Sequence, residues 1–155
     1  MLGCFRPLHN CIDNVIHSAA GVQVRCDCND IMRGKEAENG EVIVTKAYNL
    51  PSRFIFHTVG PIVNGSVTKE NKSDLAKCYR NCLAKADEMN LKTLAFCCIS
   101  TGVFGYPKEA AAKIAVETVK AYKARTKSTL KVIFNVFTEE DYAIYKRLLG
   151  KNRQA

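Results

Sequence analysis

The 155-residue sequence has no apolar run near the roughly 20 residues that a membrane span requires. Its first residues, MLGCFRPLHNC, also lack the apolar centre of a secretion signal. A membrane-bound or exported chain is therefore not expected, and the cytoplasm is the expected setting. No internal repeat, low-complexity tract or linker is visible, which disfavours repeat architectures and tethered domains. No glycine-rich loop runs into Gly-Lys-Ser or Gly-Lys-Thr, and none has the dinucleotide-binding spacing, so neither of those nucleotide signatures applies. The aromatic-interleaved motif of RNA-binding sheets is missing too, and nucleic acid is a disfavoured partner.

What is present suits one domain. At this length, 47% apolar residues supply a single sizeable core and the chain is too short for two ordinary domains, so one domain over 1–155 is expected. The net charge of +8 suits an anionic partner, such as a nucleotide, a nucleic acid or a modified protein. The lysines are spread over several segments, so a solvated basic surface explains the charge equally simply. Eight cysteines would suggest disulfides in an exported chain. Here Cys78, Cys82, Cys97 and Cys98 fall inside apolar patterns, and reduced thiols are expected, a few of them recruited for a metal.

Periodicity gives the elements. After a Pro-containing loop at Cys4–Cys11, Ile12, Val15, Ile16 and Ala19 share a helical face that Gly21 ends. Residues 22–37 read as a second helix. GEVIVTKAY, opening after the Asn39-Gly40 turn, and RFIFHTVG, after Leu50-Pro51-Ser52, read as strands. The stripe Leu75, Cys78, Tyr79, Cys82, Leu83 and Ala86 predicts a long helix, and TLAFCCIST a buried strand. Beyond GVFGYP come a helix with Pro107 in its first turn, the strand KVIFNVF, and a last helix capped by Thr138. Alternating strands and helices predict an α/β sandwich on a largely parallel sheet.

Two segments carry candidate chemistry. Ser100-Thr101-Gly102-Val103-Phe104-Gly105-Tyr106-Pro107 links a buried strand to a helix, the position at which open α/β sheets place ligands. Its glycines let backbone N–H groups approach closely, and the helix N-terminus favours an anion such as a diphosphate. An ordinary strand-to-helix turn has the same spacing. Cys4-x4-His9-x-Cys11 supplies two thiols and an imidazole, donors that zinc accepts in tetrahedral geometry with one position left open. The three residues could equally be unrelated, or one of Cys26 and Cys28 could complete a structural site. Asp13 is placed either to orient a water or ribose hydroxyl or to cap the helix.

LGCFRPLHNCIDNVIHSAAG, YNLPSRFIFHTVGP and FCCISTGVFGYPKEAAAKIAVETV together resemble the zinc-containing branch of the macrodomain family, found in microbial protein ADP-ribosyl hydrolases. The resemblance covers nearly the whole chain. It implies an α/β/α sandwich with a mixed, largely parallel central sheet and a zinc-dependent hydrolase that removes ADP-ribose from mono-ADP-ribosylated proteins. Cys4, His9 and Cys11 match the Zn2+ ligands near the distal ribose. Asp13 matches the acidic residue beside the ligand, and Asp13 with its neighbour Asn14 are the expected catalytic residues, Ile12 adjoining them. Ser100, Thr101, Gly102, Val103, Phe104, Gly105 and Tyr106 match the loop around the diphosphate and distal ribose. Phe137, ending the last strand, matches the aromatic residue that packs on adenine. His57 is expected to be a hydrogen-bonded structural residue, and neither it nor His17 is assigned to catalysis.

Members of the family carry, ahead of these motifs, strands with an aspartate for the adenine amino group and an asparagine. Here the motif opens at Met1-Leu2-Gly3. The expectation is a domain without its N-terminal strands, through truncation or natural shortening, that binds ADP-ribose more weakly than a complete one. A reader module that binds without cleaving, or an inactive shortened domain, are the alternatives.

Overall fold

The computed structural model describes residues 9–150, so Cys4 lies outside the described residues. The chain divides into two compact units, one ending at Val59 and the other starting at Gly60. None of the described helices is long and apolar enough to cross a membrane.

The first unit contains α1 (Ile12–Ala20), α2 (Val22–Met32), β1 (Val42–Lys46) and β2 (Phe54–Thr58). The N-cap of α1 is Cys11, whose Sγ accepts the Asn14 N–H at 3.4 Å, so capping does not fall to Asp13. Gly21, at φ 98°, separates the two helices. A Cβ there would lie 2.8 Å from the tip of the exposed Asn49 side chain, which can turn aside, so it is the left-handed conformation that calls for glycine. The buried face of α1 differs from the expected stripe: Ile12 and Val15 are 51% and 57% exposed, and His17 and Ala20 face inward instead. Periodicity favoured the larger aliphatics, whereas packing against α2 selects the face that carries the small Ala20.

Val24, Cys28 and Met32, four residues apart, form the buried stripe of α2. Cys28 is buried and Cys26 exposed, as the different faces of a helix require. The helix stops at Met32, short of the expected 37, because Arg33 and Gly34 turn left-handed at φ 45° and 79°. Ala20, Val24, Cys28, Met32, Ala47 and Ile55 make the core of this unit. β1 and β2 pair antiparallel, with Val42 opposite Thr58 and Lys46 opposite Phe54. The connecting segment 47–53 is far too short for the crossover that a parallel pair needs.

The second unit contains α3 (Lys69–Glu88), β3 (Thr93–Phe96), α4 (Lys108–Thr126), β4 (Lys131–Phe134) and α5 (Glu139–Gly150). All six positions of the expected α3 stripe are buried. Thr68 and Asn71 close its N-terminus with reciprocal hydrogen bonds of 3.0 and 3.1 Å. α4 packs on α3 and α5, and its buried residues include Ala111, Ala112, Ala115, Val116 and Val119, small side chains that admit close approach. β3 and β4 run parallel with α4 as their crossover. Among the described residues, this pair alone represents the largely parallel sheet expected from the sequence. Tyr79, Phe96, Phe134 and Tyr145 form an aromatic chain with successive centroid separations of 4.9, 6.5 and 5.0 Å. Thr138 caps α5 as expected, its Oγ1 accepting the Asp141 N–H at 3.2 Å.

Candidate functional site

β3 ends at Phe96 rather than running to Thr101, which leaves 97–107 as the link into α4. Internal hydrogen bonds shape this link. Tyr106 N–H donates to Ser100 O at 2.9 Å, Gly105 N–H to Gly102 O at 3.0 Å, and Thr101 Oγ1 to Cys98 O at 2.9 Å. Val63 N–H donates to Phe104 O at 2.8 Å and ties the loop to the chain after Pro61. The backbone N–H groups of Gly102, Val103 and Phe104 have no acceptor among the described residues. The anion-binding donors expected between Gly102 and Gly105 thus narrow to three consecutive ones, because Gly105 N–H is already engaged. Gly102 and Val103 are exposed, so these groups are open to a ligand.

α4 begins directly beyond, with Pro107 as its N-cap rather than inside its first turn and with no side chain bonded to its first N–H groups. That leaves the positive end of the helix uncapped beside the loop. Lys108 does not add its charge there. Its Nζ lies 2.8 Å from Glu140 Oε2, 3.1 Å from Thr138 Oγ1 and 3.6 Å from Asp141 Oδ1.

Ser100 takes a left-handed conformation, φ 65°, rare for a residue with a Cβ. Its Oγ is buried without a hydrogen-bond partner among the described residues. Both features mark a loop held in a costly state by its surroundings. One of those surroundings is Gly60 of the segment HTVGP, a position that no sequence signal marks as part of the site. A Cβ on Gly60 would come within 2.2 Å of Ser100 Oγ and 2.6 Å of Ile99 Cγ2. Two aromatic expectations change. Tyr106 is buried, so its ring belongs to the core and only its backbone is available. Phe137 lies three residues beyond the end of β4 and is 99% exposed, which excludes a core role and leaves its whole face open.

In the first unit, His9, Cys11, Asp13 and Asn14 are brought together at the start of α1. Cys11 N–H donates to His9 O at 3.0 Å, and Asn14 Nδ2 donates to the same oxygen at 3.1 Å. Arg25 donates to Asn14 Oδ1 at 3.3 Å. Both ends of the Asn14 amide are therefore engaged in holding this turn against α2. Asp13 Oδ1 stands 3.4 Å from His17 Nε2. Ile12 is exposed, beside the turn. His9 and Cys11 are half-buried donors folded into one tight turn, and a helix N-terminal N–H already faces the sulfur. An imidazole and a thiol are donor types that a thiophilic cation such as Zn2+ accepts.

Residues 4–115 match the Macro domain family. The chain is 51% identical to the protein-ADP-ribose hydrolase of Staphylococcus aureus strain MRSA252 over 156 residues, which cover 99% of this chain and 59% of the relative. It is 49% identical over 152 residues to the protein-ADP-ribose hydrolase of Treponema medium, covering 97% of this chain and 58% of the relative. It thus spans about three-fifths of the length of these curated relatives. Among solved structures, the Oceanobacillus iheyensis macrodomain with ADP superposes with a TM-score of 0.85 at 39% identity, covering 92% of this chain and 76% of that one. The Trypanosoma brucei macrodomain in complex with ADP-ribose gives 0.82 at 33% identity, covering 96% and 59%. With the family match extending over most of the sequence and relatives this close, the chain belongs to the macro domain family.

Proposed function

We propose that this chain binds ADP-ribose and, with Zn2+, hydrolyses it from mono-ADP-ribosylated proteins. The observation that carries the reading is the loop of the second unit, where three consecutive backbone N–H groups without acceptors precede an uncapped helix N-terminus. A diphosphate satisfies those donors. The named activity of the Staphylococcus aureus and Treponema medium relatives supports the hydrolytic step.

The residues act as follows. Gly102, Val103 and Phe104 donate to phosphate oxygens, and the fixed backbone of Ser100 and Tyr106 keeps that loop in shape before the ligand arrives, so little ordering is needed on binding. Phe137 stacks on the adenine face. Ser100 Oγ donates to the ligand or to a water beside it. Asp13 orients the attacking water or a ribose hydroxyl, and Ile12 adjoins it. Asn14 holds the His9–Cys11 turn in place, a positioning role rather than the catalytic one expected from its place beside Asp13. Cys4, His9 and Cys11 would hold the Zn2+, which when bound supplies Lewis acidity toward a substrate or water oxygen.

The test is release of free ADP-ribose from an automodified transferase, alongside calorimetry with ADP-ribose. Release that stops under chelation supports the hydrolase. Binding without release would make the chain a reader, and neither binding nor release would overturn the reading altogether.

A further inference from the structure

Inside the first unit, apart from the His9–Cys11 turn, three metal-binding side chains converge from three different elements. His17 comes from α1, Cys28 from α2 and His57 from β2. All three are buried, and their donor atoms lie within 4.8 Å of one another. Cys28 Sγ is 3.9 Å from His57 Nε2, and the two imidazole centroids are 5.5 Å apart. We propose that His17, Cys28 and His57 form a second metal site, a buried His2Cys centre for one thiophilic divalent cation such as Zn2+, which fastens α1, α2 and β2 together.

The first support is His17 itself. It is 1% exposed, and neither ring nitrogen has a hydrogen-bond partner among the described residues. The Asp13 carboxylate at 3.4 Å from Nε2 is near enough to attract but not aligned to accept. A buried imidazole with no partner is a costly arrangement that a cation on one nitrogen relieves. The second support is size. Bonds of about 2.3 Å to sulfur and 2.0 Å to nitrogen at tetrahedral angles put sulfur and nitrogen about 3.5 Å apart, so the Cys28–His57 edge must close by about 0.4 Å and no edge is longer than 4.8 Å. The third is charge. The Cys28 thiolate offsets one charge of a divalent ion, and the Asp13 carboxylate at the edge of the site, 3.4 Å from His17 Nε2, offsets more of it. Uptake displaces the Cys28 proton to solvent as the metal–sulfur bond forms. Thr45 Oγ1, now 2.9 Å from His57 Nε2, turns aside or takes the fourth position.

The test uses the full chain carrying His9→Ala and Cys11→Ala, which removes two of the three donors proposed for the other ion and leaves Cys4 alone, and Co2+ or Zn2+ alone as the probe. With folding verified by circular dichroism, we expect one equivalent of Co2+ with tetrahedral visible bands and a thiolate charge-transfer band. Adding Cys28→Ala abolishes uptake. X-ray absorption of the zinc form of the same double variant should show one sulfur and two imidazoles, which needs no further substitution. Absence of uptake by the folded double variant, uptake unaffected by Cys28→Ala, or two or more sulfur scatterers would each overturn the site. The difference in metal content between wild type and the double variant reports separately on the His9–Cys11 turn.

Discussion

Gly60→Ala should damage the phosphate loop although residue 60 donates nothing to a ligand. The new methyl would stand 2.2 Å from Ser100 Oγ and 2.6 Å from Ile99 Cγ2, both well inside van der Waals contact. Neither neighbour yields cheaply. Ile99 is buried and β-branched, with a restricted χ1. Ser100 is fixed at φ 65° with its carbonyl bound to Tyr106 N–H. Overpacking of this kind costs about 1–3 kcal/mol. In a chain of this length that lowers Tm by about 3–10 °C. Because the displaced residues begin the loop that presents Gly102, Val103 and Phe104, ADP-ribose affinity should fall at least about tenfold, equivalent to about 1.4 kcal/mol. Differential scanning calorimetry and titration calorimetry read the two effects. Ser100→Gly added to Gly60→Ala should recover part of both losses, since it removes one clash and suits the left-handed conformation. A Gly60→Ala protein with wild-type Tm and affinity would refute the reasoning.

Phe137→Ala should leave Tm unchanged, because the ring is 99% exposed, while weakening ADP-ribose binding by about 1–3 kcal/mol, the usual worth of base stacking on an aromatic ring; calorimetry checks it. Leu75→Ala opens a cavity at a fully buried position of α3 and should cost about 2–5 kcal/mol in urea unfolding. Burial pushes the Cys82 thiol up to about 12, with Cys78 and Cys97 adding to the shift. At pH 8 the native protein should therefore be alkylated by iodoacetamide at exposed Cys26 and not at Cys82, as peptide mass spectrometry will show. Asn14→Ala should loosen the turn that holds His9 and lower metal content, measured by atomic emission, more than it lowers Tm.

The elements were legible where a single face is wide and apolar. α3 is fully visible because its stripe is buried along its length, and the four strands among the described residues lie at approximately the expected places. What sequence could not show was choice of face and partner. On α1, periodicity selected Ile12 and Val15, but the inward face carries His17 and Ala20, because α2 and the hairpin take that side. The antiparallel pairing of β1 with β2 was readable from the short loop between them, yet the alternation of strands and helices suggested otherwise. In the loop proposed to take the diphosphate, the glycines single out the segment from Ser100 to Pro107. Which N–H groups are available depended on internal hydrogen bonds at Gly105 and Tyr106 that no spacing encodes. Gly60 and the His17, Cys28 and His57 cluster depend on residues far apart in sequence, so only the folded chain brings them into view.

Hydrolysis by this chain is tested by release of ADP-ribose from a mono-ADP-ribosylated protein, followed by mass spectrometry. We expect release with Zn2+ present, loss of release on chelation, and loss in the His9→Ala protein while ADP-ribose is still bound. Undiminished release by folded, metal-free protein would contradict the zinc mechanism, and ADP-ribose binding with no release under any condition would contradict hydrolysis itself.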